Sequence, residues 1–341
     1  MQNLMRANRE LFRRTRDECF PSLVSLWENC HKRRELSADH WHPPQNLRPH
    51  IQEGRIMLAF GGDRPFEMND WSFGQLCRLA GVSRDTINRL SPETACRAFE
   101  ETLPTAEKPV QVLTTADSVR SIHGVAYTRL WDADLLTMLR EFATDFEPPQ
   151  QAEGGGTGLY AGEQDMFAFL IDPLGWAEID GEAFAPGFFV WNSEVGRRSV
   201  GIQTFWFQAV CRNHIVWDAT DVMEFKRKHT ANVHESLNEI RRMVAALVEK
   251  RDARKDGFAA TIKKAMETSL GNDADDVLKV LNQQGITKTL AKQALDIARE
   301  KGAFTVFSVV DALTRLSGKL TNAGERTEAD ERAGRLLALA A

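Results

Sequence analysis

Three apolar, aromatic-rich runs at residues 166–171, 188–191 and 202–210 constrain the fold more than any other feature of the chain. Their length and their β-branched and aromatic content read as strands. The second and third are joined by residues 192–198, a connection short and polar enough to be a hairpin turn. A different period follows. Val233, Leu237, Ile240, Val244 and Leu247 recur at alternating steps of four and three, which predicts one apolar stripe on a long helix, with Asp218 or Thr220 as its cap.

The flanks are helical in pattern. Residues 4–30 read as helix interrupted by Pro21, residues 72–90 as two helices around Gly81, and residues 94–103 as a further short helix. Strands are expected at 55–60, 110–115 and 121–127, with a helix from Asp132 or Asp134 through Phe142. Residues 148–158, with three consecutive glycines, lack periodicity and read as a loop. Beyond Gly257 the pattern is helical, broken at Gly271, Gly285, Gly302 and Gly318. Strand-rich material flanked by helices, without regular β-α alternation, predicts an α+β fold. A central antiparallel β-rich core carrying a basic hairpin is then expected at 111–257, between an N-terminal mostly helical region (1–110) and a C-terminal helical region (258–341).

No stretch approaches the roughly 18 uncharged apolar residues that a membrane span needs, and the arginine-rich start is followed by no apolar region. Membrane insertion and secretion are therefore not expected. The five cysteines are odd in number, scattered and never spaced as C-x-x-C, which points to a reducing cytoplasm. The net charge of -5 conceals a segregation: residues 61–196 carry net -13, whereas residues 197–264 hold 14 basic against 8 acidic side chains. Such a basic segment on an acidic chain is a candidate polyanion-binding face.

Other chemistry is weakly signalled. Residues 76–90 resemble a helix-turn-helix in which Arg84, Thr86, Asn88 and Arg89 would present donors to DNA, yet they lie in the most acidic segment. Cys19, Cys30, His31, His40 and His42 supply metal donors without a zinc-binding spacing. Glu163, Asp165, Asp172, Glu178 and Asp180 are candidate ligands for a metal-dependent nuclease, but no compact D-x-D or E-x-K spacing supports it. No cofactor is expected.

Several segments, taken together, resemble the domain of unknown function 932 family, which is encoded mainly by phages, prophages and plasmids. They are residues 71–77 with 90–92, residues 119–127 (including Arg120 and Tyr127), residues 192–196 (Asn192, Ser193 and Gly196), residues 209–217 (including Cys211 and Asn213) and residues 329–337. Where the family often has serine before its strand tyrosine, this chain has His123, Gly124, Val125 and Ala126. The resemblance implies mobile-element biology and supplies no catalytic residues. A looser similarity to phage single-strand annealing proteins implies a basic hairpin and adjoining helix along a nucleic-acid groove, in a homo-oligomer.

Charge, hairpin and resemblance converge on single-stranded nucleic acid as the partner, bound or annealed during recombination or replication. The expected contacts are Arg197, Arg198, Arg212, Lys226, Arg227, Lys228, Arg241 and Arg242, with Phe205, Trp206 and Phe207 stacking on bases. The alternatives are a host-factor-binding or counter-defence protein with a host or phage protein partner, and a metal-dependent nuclease.

Overall fold

A computed structural model describes residues 15–62, 64–149, 156–179, 181–210, 213–217, 223–300, 302, 304–319 and 336. The first helix, α1 (Leu23–Glu35), begins where the Ser22 and Ser25 side chains close a reciprocal capping box, and it buries Leu23, Leu26 and Cys30. Six strands then build one sheet: β1 (Ser37–His42), β2 (Arg48–Gln52), β3 (Arg55–Ala59), β4 (Pro65–Met68), β5 (Val110–Thr115) and β6 (Ser118–His123). Their order is β1-β5-β6-β4-β3-β2, and only the β4–β6 pair is parallel. Between β4 and β5 come α2 (Asp70–Leu79), α3 (Arg84–Ile87) and α4 (Pro92–Thr102), capped by Asn69, Ser83 and Ser91 respectively. Leu76, Ala95 and Phe99 from these helices close a core over Leu58, Val112, Val119 and Ile122 of the sheet.

The second sheet holds β7 (Leu159–Ala161), β8 (Met166–Ile171), β9 (Ala177–Ile179), β10 (Glu182–Asn192), β11 (Val200–Val210), β12 (Asn213–Trp217) and β13 (Glu224–Arg227). Its order is β12-β11-β10-β8-β7, with β9 on β10 and β13 on β11. The three runs that dominate the sequence form its centre. They do not alternate with polar residues because both faces are covered. Met166, Ala168 and Leu170 face a core shared with α1, α5 (Asp132–Leu139) and α6 (Ser236–Glu249), whereas Phe167, Phe169 and Ile171 face an aromatic cluster with Phe189, Trp191 and Phe205. At the far end of β10 and β11, Phe184 and Trp206 meet the C-terminal helices α7 (Arg251–Glu267), α8 (Ala274–Gln283), α9 (Lys288–Glu300) and α10 (Val306–Lys319).

The α+β class holds, as does the antiparallel core. Several expected boundaries change. One sheet spans residue 110, since β1 pairs along the whole of β5, and residue 257 lies inside α7. The strand expected at 121–127 ends at His123, because Gly124 opens a turn whose carbonyl accepts the Tyr127 N–H at 3.1 Å. The long helix starts at Ser236, after a 3-10 turn, and not near Thr220. Ahead of it, residues 224–227 take the open edge of β11, where Phe225 faces Ile202 and turns into the core. The stripe itself packs as expected: Val233, Ile240, Val244 and Leu247 are buried and Leu237 lies against them.

Candidate functional site

Asn192 ends β10, and the turn it opens is held by side chains from four other parts of the chain. Its Nδ2 donates to the Leu130 carbonyl (2.8 Å) and to Asp132 Oδ1 (2.7 Å). Ser193 Oγ donates to the Gln164 carbonyl (2.6 Å) and accepts the Arg197 N–H (2.9 Å), which folds the turn back on itself. The Glu194 carboxylate receives Arg120 Nη1 at 2.6 Å and the Asp132 N–H at 3.0 Å, so that it caps α5. Arg33 reaches Asp132 at 2.6 Å and Glu194 at 3.4 Å. The turn carbonyls are taken as well: Tyr127 and Arg129 donate to Glu194 O, and His123 Nε2 (3.0 Å) and Trp71 Nε1 (2.9 Å) donate to Val195 O.

Gly196 is required by contact and by backbone. Its φ is +71°, and a Cβ there would lie 2.6 Å from His123 Cε1. The His123 ring stacks on Tyr127 with centroids 3.8 Å apart, and Tyr127 stacks in turn on His229 at 5.4 Å. Three aromatic rings thus lie directly behind the turn.

Burial sets the electrostatics. Glu194 and Asp132 are 1% exposed or less, and a carboxylate is tolerated there only when paired. Burial alone raises the Glu194 carboxyl, but Arg33 and Arg120 outweigh it and hold the group below its ordinary value. Asp132, pushed by burial and then by the Glu194 charge, is raised to about 7. His123 and His229 are both depressed to about 4, first by burial, with the Arg129 charge adding to it. Arg78, exposed on α2, adds a smaller contribution in the same direction at His123.

The Domain of unknown function (DUF932) family model matches residues 122–314, more than half of the chain. The chain belongs to the domain of unknown function 932 family. No curated protein and no solved structure matches it. The match contains the segments at 192–196 and 209–217 and residues 122–127 of the segment at 119–127, and it leaves outside Arg120 and the segments at 71–77, 90–92 and 329–337. Within this member of the domain of unknown function 932 family, Arg120, Tyr127, Asn192, Ser193 and Gly196 meet at the one turn, although they are far apart in sequence. Asn213 begins β12, and Cys211 lies outside the described residues.

The cations expected to contact nucleic acid are dispersed. Arg198 binds buried Asp165 at 2.6 Å and covers the Phe167 ring. Arg241 makes a two-pronged pair with Glu141 (2.8 Å each), and Arg242 pairs with Glu239 at 2.7 Å. Lys226, Arg227 and Lys228 lie on or just after β13 rather than on the helix, with Lys226 near Glu224 (3.5 Å) and Arg227 on Glu235 (3.0 Å). Arg212 lies outside the described residues. Phe205 and Trp206 are buried and do not offer stacking faces; Trp206 stacks on Phe258 at 3.8 Å. The Phe207 side chain is outside the described residues.

Two of the candidate nuclease carboxylates are committed elsewhere, Asp165 to Arg198 and Asp172 to Arg251, and Asp180 is outside the described residues. The helix-turn-helix reading fails on length: α3 is only four residues, and Arg84 is tied to Asp70. Sequence reasoning read Asp132 only as a helix start, placed Trp71 and Glu194 only within the resembling segments, and assigned no role to Arg33 or Arg129. The Asp132 N–H and Arg120 that bind the Glu194 carboxylate are 62 and 74 residues away, Arg33 lies farther still, and no local spacing announces them.

Proposed function

We propose that this chain binds single-stranded nucleic acid with the surface around the turn at residues 192–198. One observation carries the reading. Arg78, Arg197 and Lys228 are exposed, have no carboxylate partner among the described residues, and belong to segments that converge on one feature, the His123–Tyr127–His229 stack. Arg197 follows Gly196, which packs on His123; Lys228 precedes His229; Arg78 acts on His123 from α2. The β11–β13 register pairs Val200 with Arg227, which brings Lys228 to the turn end of the sheet. Lys226, whose exposed pair with Glu224 contributes little, extends the same edge. Unpaired exposed cations release counterions when they meet phosphates, whereas cations already in ion pairs first lose those partners. The family resemblance, which implies mobile-element biology, supports a use of this activity in recombination or replication.

Fluorescence anisotropy with labelled single-stranded and duplex oligonucleotides, titrated over salt, tests the reading. We expect single-stranded DNA to bind at low salt. Replacing Arg78, Arg197 and Lys228 with Ala should flatten the salt dependence by about 0.7 log units per lost contact without changing the melting temperature. Wild-type protein that binds no oligonucleotide at low salt overturns it in favour of a protein partner.

A further inference from the structure

We infer that Trp71 is a stacking platform for an unpaired nucleobase, and that Arg197 covers its face in this structure and exchanges it for a phosphate contact on binding. The inference rests on the single-strand-binding reading above and names the residue that would recognise a base. Trp71 is the second residue of α2 and only half-buried. Its Nε1 donates to the Val195 carbonyl at 2.9 Å, which fixes the indole against the turn. The Arg197 guanidinium lies 5.6 Å from the ring centroid. Arg197 has no carboxylate partner among the described residues, and neighbouring Asp70 is engaged by Arg84 through both oxygens at 2.7 Å.

The magnitudes favour exchange. An exposed cation–π contact shifts an equilibrium by roughly two- to fivefold. A base stacked on an aromatic side chain is worth roughly five- to 150-fold, and the released guanidinium gains a phosphate. The Val195 bond lies at the indole edge, so the ring keeps its orientation while its face changes occupant. Unpaired bases offer their faces freely, whereas duplex bases are already stacked, and the platform therefore selects single strands.

The test compares a labelled oligothymidylate with an abasic backbone of equal length in anisotropy titrations of the full chain. Wild-type protein should prefer the base-bearing strand by roughly five- to 150-fold, Trp71→Phe should keep most of that preference, and Trp71→Leu should remove it. Thermal melts confirm that each variant is folded. If Trp71→Leu melts early, the difference in indole quenching between wild type and Trp71→Phe on binding reads the same contact. Binding to neither strand by the wild type overturns the single-strand reading itself. Equal affinity for both strands, a preference retained in Trp71→Leu, or quenching unchanged in Trp71→Phe overturns the platform alone.

Discussion

Glu194 accepts the backbone N–H of Asp132 at 3.0 Å, so a residue of the β10–β11 turn caps a helix that begins 62 positions earlier. The same carboxylate takes Arg120, and Arg33 bridges it to the Asp132 side chain. This cluster joins the first sheet to the second, and most of the chain's testable behaviour follows from it.

Removing one charge from the cluster leaves others buried without compensation. Glu194→Gln should lower unfolding free energy by about 3–5 kcal/mol. Adding Arg120→Met should cost less than the sum of the two single changes, because both remove the same pair. Urea unfolding of the three variants checks this.

Arg33 and Arg120 lie outside the family-matched residues 122–314, while Glu194 and Asp132 lie inside. A fragment of residues 122–314 should therefore be insoluble or molten, whereas residues 15–319 should unfold cooperatively. Near-ultraviolet circular dichroism and solubility distinguish the two.

The buried histidines set an acid limit. A histidine held at about 4 in the folded chain but near 6.5 when unfolded takes its proton only on unfolding, so its contribution is complete above about pH 6.5 and is lost as pH falls toward 4. His229→Phe keeps a ring against Tyr127 and removes one of these protons. Its stability should fall less steeply than that of the wild type across this window, as read from melting temperatures at successive pH values.

Gly196 and Gly54 both have positive φ, +71° and +74°, but a Cβ at Gly54 meets nothing within 4 Å. Gly54→Ala should carry only the backbone cost, about 1–2 kcal/mol. Gly196→Ala should cost more and should shift the His123 and Tyr127 ring resonances, since the added methyl displaces the stack.

Helix α6 packs through Ile240, fully buried, and Leu237, partly buried. Leu237→Asp should destabilise the chain, and Ile240→Asp should do so more strongly, because only the latter places the charge wholly out of water. Equal melting temperatures for both variants and wild type would refute the packing argument.

The three central strands of the second sheet, β8, β10 and β11, were legible because their sequence runs are continuous, with Phe167 and Ala168 serving opposite cores and each neighbour repeating the pattern, whereas the short β7, β9 and β12 were not. The stripe of α6 was legible for the same reason, a strict period. Strand β13 was not, since Glu224 to Arg227 becomes a strand only because β11 offers an edge, a fact held in distant residues. The first sheet was partly hidden by its short strands and polar composition; β1, with Ser37, Asp39 and two histidines, has no apolar run. At the site, Asn192, Ser193 and Gly196 stood out through family resemblance. The ion cluster did not, because its arginines and carboxylates each look like ordinary surface charges until the fold buries them together.

Strands β10 and β11 are eleven residues each, and their two ends are fastened by different chemistry. At one end, ion pairs and carbonyl bonds grip the turn; at the other, Trp206 lies flat on Phe258 within an apolar helical bundle. Acid weakens the first kind of fastening and cold the second, since hydrophobic stabilisation fades on cooling. The ribbon should consequently fray from opposite ends in the two conditions: low pH frees the Asn192 end while Trp206 keeps its buried emission, and chilling in mild denaturant releases Trp206 while the turn stays closed.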